Sequence, residues 1–136
     1  MSARRPLLGR SLKPFRRPWL WTGLWMLAIA VVVFGSLLPA SDLPPVGVSD
    51  KLEHGAAYAV LAAGAVQLFR YRLSWGMVCV MLVFLGIGLE YLQGAMGLGR
   101  MADRADALAN TVGVLIGLAT AFTPLRDALL RFDHKF

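Results

Sequence analysis

The strongest constraint on this chain is a series of apolar runs too long for the core of a small soluble domain. The first extends from Trp19 to Leu38. At about 1.5 Å per helical residue it crosses a hydrocarbon layer of roughly 30 Å. Three more follow, from His54 to Phe69, Leu73 to Gly94 and Ala105 to Phe122. The second is short for a span, so its helix is expected to begin near Asp50. Pro39, Pro44 and Pro45 end the first helix in an extended loop, and Pro124 stops the fourth. Of the 136 residues, 57% are apolar and 16% charged, too little charge to coat a soluble domain. The expected fold is an all-α membrane protein, a four-transmembrane-helix bundle. Residues 1–18 form a basic arm and residues 19–38 an anchoring first helix. Residues 48–122 hold helices two to four, and residues 123–136 form a tail. The first run exceeds the 7–15 residues of a signal-peptide core and is read as a retained helix.

Basic residues orient the bundle. Arg4, Arg5, Arg10, Lys13, Arg16 and Arg17 precede the first run. With Arg70, Arg72, Arg126, Arg131 and Lys135, eleven of the fourteen basic residues fall on one side, against Lys51, Arg100 and Arg104 on the other. The positive-inside rule then puts both termini in the cytoplasm. The charge of +6 is therefore read as a topology signal, and no nucleic-acid partner is expected. Trp19, Trp21, Trp25 and Trp75 fall near the inner ends, where interfacial aromatics anchor helices. The single cysteine, Cys79, allows neither an intrachain disulfide nor a cysteine-based metal site.

The remaining polar residues share one depth, at the outer ends. Asp50, Lys51, Glu53, His54 and Tyr58 open helix two. Glu90 and Gln93 close helix three. Arg100, Asp103, Arg104, Asp106 and Asn110 open helix four. Asp50, His54 and Tyr58 recur every four residues on one face. Asp103, Asp106, Asn110, Gly113 and Gly117 also share a face, and the last two form a small-xxx-small pair that admits a close neighbour. A carboxylate at Glu90 costs about 2–3 kcal/mol against lipid, so it should face the bundle. Capping accounts for part of the set: Asp50 with Glu53, and Asp103 with Asp106, are each an N-cap followed by an acid in the first turn. It accounts for none of His54, Glu90, Gln93 or Asn110.

These residues suggest a polar pocket open to the outer side. His54, Glu90 and Asp106 are the candidate catalytic groups, with histidine titrating near neutral pH. Asp50, Lys51, Tyr58, Gln93, Arg100, Asp103 and Asn110 are candidate binding residues, with Lys51 and Arg100 as anion contacts. No paired-histidine spacing exists, since His134 lies in the tail, and neither a metal nor another cofactor is expected.

At these positions the sequence resembles the VanZ-like family of small bacterial membrane proteins. The resemblance rests on Asp50-Lys51-x-x-His54-x-x-x-Tyr58, on Glu90-x-x-Gln93, and on Arg100-x-x-Asp103-x-x-Asp106-x-x-x-Asn110-x-x-Gly113. It covers roughly residues 48 to 120. It implies a multi-pass protein of the bacterial inner (cytoplasmic) membrane, in a family linked to resistance to the glycopeptide teicoplanin. It supplies no known reaction. Three functions stay open: an envelope protein engaging a lipid headgroup, cell-wall precursor or glycopeptide; an outer-leaflet enzyme; or a structural module whose polar residues lock the helices. The lipid bilayer is a partner in each, and a homo-oligomer is compatible with all three. Transport fits less well, because the charges sit at one end and not near the midplane.

Overall fold

The computed structural model describes residues 12–37, 50–96 and 104–135. They form five α-helices and no sheet: α1 (Pro18–Leu37), α2 (Asp50–Leu68), α3 (Arg72–Met96), α4 (Arg104–Ala119) and α5 (Ala128–Lys135). Short 3-10 turns at Thr120–Phe122 and Pro124–Asp127 join α4 to α5. Pro18 opens α1, where a missing N–H is harmless. Thr123, preceding Pro124, is forced into extended backbone and breaks α4 from the tail.

Among the described residues, three helical segments are long and apolar enough to cross a membrane: Pro18–Leu37, Arg72–Ala95 and Ala105–Phe122. The expected fourth span, α2, is not among them. The reason lies in its position. α2 is the central helix, packed most extensively against α4 and touching α1, α3 and α5. Tyr58, Leu61, Ala62, Ala65 and Val66 recur at helical spacing and are all buried. A helix ringed by other helices needs little lipid-facing surface, so it can carry Lys51, Glu53, His54 and Gln67, which lower its apolar character. α1 is the opposite case. None of its residues is buried, and Trp19, Leu24, Val31 and Phe34 are exposed.

The α2–α4 contact is made by missing side chains. A Cβ on Gly113 would lie 2.8 Å from the Gly55 carbonyl carbon, and one on Gly117 2.7 Å from the Ala62 Cβ. The two backbones therefore touch. α1 is fastened differently. The Trp25 ring covers Gly64, and its Nε1–H donates to the Leu61 carbonyl at 2.9 Å.

At the opposite end from Glu90, residues 12–17 and the tail close on each other. The Lys13 N–H donates to the Leu68 carbonyl at 2.8 Å. Its ammonium donates to the Arg126 carbonyl at 2.6 Å and pairs with Asp127 at 2.8 Å. Asp133 is fully buried and accepts from the Trp21 indole at 2.9 Å and from the Arg16 N–H. Gln67 spends both ends of its amide here, donating to the Leu125 carbonyl and accepting from the Leu129 N–H. The positive-inside rule assigns these basic residues only a topological role. The structure adds a clasp.

The clasp depends on two carboxyls. The hydrogen bond from Lys13 holds Asp127 below the ordinary carboxylate range, against partial burial and with Arg126 and Arg131 assisting. Burial raises Asp133, but the Trp21 indole and the Arg16 and Arg17 N–H groups outweigh it, so this carboxyl is also lowered. The unfolded chain therefore binds more protons at acid pH. The contribution is complete above the ordinary value of 3.8 and is lost as pH falls through the lowered native values. In detergent, the Trp21 indole N–H resonance should hold its position from neutral pH down to about 5 and move only under stronger acid.

Candidate functional site

Three helices each place two residues, four apart, at the end of the bundle opposite the clasp. α2 supplies His54 and Tyr58, α3 Glu90 and Gly86, and α4 Asp106 and Asn110. Because α3 runs opposite to α2 and α4, Glu90 meets His54 and Asp106 while Gly86 meets the residues one turn deeper. The pairs form two layers.

The upper layer is ionisable. One imidazole nitrogen of His54 and one carboxylate oxygen each from Glu90 and Asp106 lie within 4.8 Å of one another. His54 Nδ1 stands 4.0 Å from Asp106 Oδ2. That is close enough for an ion pair with a protonated imidazole and too long for a hydrogen bond. Glu90 is buried, whereas the side chains of His54 and Asp106 keep 21% and 17% of their exposure, so the layer opens past those two residues. Asp106 lies in the first turn of α4, where the helix dipole favours a carboxylate.

The lower layer is neutral and closed. Tyr58 and Asn110 are both buried. Gly86 leaves room for them: a Cβ there would lie 3.1 Å from Asn110 Nδ2 and 3.5 Å from the Tyr58 ring. Two polar atoms of the site are buried without a hydrogen-bond partner, His54 Nδ1 and Asn110 Oδ1. Such an atom typically costs about 1–3 kcal/mol. A set of this kind can exchange protons, donate to and accept from a polar ligand, or ligate a cation.

The candidates from the sequence separate into three groups. His54, Glu90 and Asp106 come together, with Tyr58 and Asn110 beneath them. Gln93 is buried but turns to α1, where its amide nitrogen donates to the Ser36 carbonyl. It ties α3 to the helix expected to be only an anchor. Asp50, Lys51 and Arg104 lie in the first turns of α2 and α4, and Arg100 and Asp103 fall outside the described residues. Gly86 is the residue that sequence reasoning missed. Its place four residues before Glu90 was the available sign that it faces the same side.

No family model, curated protein or solved structure matches the chain.

Proposed function

We propose that this is a VanZ-like membrane protein of the bacterial cell envelope that uses the His54–Glu90–Asp106 pocket to engage a polar ligand at the outer face of the inner membrane. The ligand class is a lipid headgroup, a cell-wall precursor or a glycopeptide. The observation that carries this reading is the convergence of three ionisable side chains from three helices above a closed polar floor. In this reading α2 is the fourth span, shielded by its neighbours, and both ends of the chain face the cytoplasm. The distribution of basic residues supports that orientation, as does the clustering of Lys13, Arg70 and Arg126 around one cavity of about 320 Å³ at the clasp end.

The second reading is an outer-leaflet enzyme in which His54 exchanges a proton with Asp106 or Glu90. The 4.0 Å separation of His54 and Asp106 favours it, since a small closure on substrate would make the bond.

His54→Ala, Glu90→Gln and Asp106→Asn test the pocket. Each variant should reach near-parental folded yield in detergent and fail to restore the envelope phenotype of a deletion strain, read as teicoplanin susceptibility or envelope integrity. Variants that fold and complement fully would remove the pocket from consideration. Variants that do not fold would show that the residues serve to lock helices. A purified lipid or cell-wall precursor that is chemically altered, and not merely retained, would select the enzyme.

A further inference from the structure

We propose that His54, Glu90 and Asp106 bind one divalent first-row metal ion of the zinc or manganese type. The inference deepens the pocket reading above and rests on it for function, though not for binding.

The donor set comes first. One imidazole and two carboxylates suit a borderline divalent ion, which takes nitrogen and oxygen together. An alkaline-earth ion favours oxygen alone, so the histidine argues against magnesium or calcium. The ligand atoms come from three helices and already lie within 4.8 Å of one another. Bonds of about 2.0–2.2 Å need donors roughly 3–3.5 Å apart, so binding draws the three inward by about 1 Å.

Two buried polar atoms at the site, one of them outside the donor set, lack hydrogen-bond partners. His54 Nδ1 is buried and makes no hydrogen bond, although a carboxylate oxygen stands 4.0 Å away. Asn110 Oδ1, on a residue 4% exposed and one turn below Asp106, is also buried without a partner. Three protein donors leave a coordination position for an oxygen of water or of a ligand, and the partial exposure of His54 and Asp106 gives it access. Spacing along the chain could not reveal this site, because each helix supplies only one donor.

The test uses the full chain in detergent, purified through a histidine-free tag and stripped with chelator. Zn2+ and Mn2+ are then added, with Mg2+ as control. Elemental analysis after dialysis should find one Zn2+ per chain, and the melting temperature should rise with Zn2+ but not Mg2+. His54→Ala should lose stoichiometric binding. Glu90→Gln and Asp106→Asn should weaken it at least tenfold. His134→Ala, at the clasp end, should bind like the parent. A folded parent that takes up no stoichiometric Zn2+ or Mn2+ overturns the proposal, even if the variants prove unstable. So does His54→Ala that still binds one ion. If the variants lose the envelope phenotype and the parent holds no ion, the pocket reading stands and the metal falls. If the ion binds and every variant complements, the reverse holds.

Discussion

Gly113→Ala and Gly117→Ala are each expected to destabilise the protein by about 1–3 kcal/mol or more, the usual range for atoms forced into a filled interface. Each new methyl would meet backbone or a short rigid side chain. For Gly113 the obstacle is the Gly55 backbone, whose carbonyl carbon would be 2.8 Å away and whose Cα 3.0 Å. For Gly117 it is the Ala62 Cβ at 2.7 Å and the Ala63 nitrogen at 2.8 Å. None of these can rotate aside, so α4 must move away from α2. His54 and Asp106 sit on those same two helices, and the move would also part the cluster that they form with Glu90. At Gly23, Gly35, Gly76 and Gly88 an added methyl would have nothing within 4 Å of it. Alanine at these four should be neutral, or stabilising by up to about 1 kcal/mol through helix propensity. Unfolding in detergent by heat or by added denaturant would measure all six. If Gly113→Ala and Gly117→Ala unfold together with Gly23→Ala, the α2 and α4 backbones are not in close contact at these glycines.

Asp133→Ala should release residues 12–17 from the tail. The substitution leaves the Trp21 indole and the Arg16 N–H without their buried acceptor. Trypsin gives a direct reading, because Lys13 and Arg17 each precede proline and Arg16 does not. Cleavage after Arg16 should be slow in the parent and fast in Asp133→Ala. Asp133→Asn keeps one acceptor oxygen and should fall between them. Lys13→Met keeps the buried stem and removes the ammonium. It should cost about 1–2 kcal/mol, below the usual figure for a buried pair because Asp127 is 40% exposed and can be solvated when left alone. Paired with Asp127→Asn in a double-mutant cycle, it isolates the ion pair. Equal rates of Arg16 cleavage in parent and Asp133→Ala would mean that the clasp does not hold the arm.

What could be read in the sequence was what one helix carries alone. The step from Asp106 to Asn110, Gly113 and Gly117 marks a single face, and that face is the one packed on α2. His54 and Tyr58 share a face for the same reason, and the cost of Glu90 in lipid correctly turned it inward. Relations between helices were much less legible. Gln93 follows Glu90 by three residues, which leaves about 60° between their directions. That angle takes one side chain to α1 and the other to His54 and Asp106. The central position of α2 could be inferred only from its excess of alanine, which reads equally as a short or weak span. The clasp was hidden because Lys13 and Asp133 each look like an ordinary charge on a solvated segment, and nothing local marks either as buried.

The clasp also imposes an order on assembly. The acceptors of the Lys13 ammonium lie 113 and 114 positions further along the chain, and Asp133 comes 117 positions after the Arg16 N–H that it accepts from. All four long helices lie between. During synthesis Lys13 and Arg16 must therefore wait until residues 126 to 133 have been made. The clasp cannot close on a partial chain, since a product halted before Arg126 has neither the carbonyl nor the carboxylate that receives Lys13. Closure of that end thus reports that synthesis has passed Asp133, and until then Lys13 and the Arg16 N–H lack these acceptors.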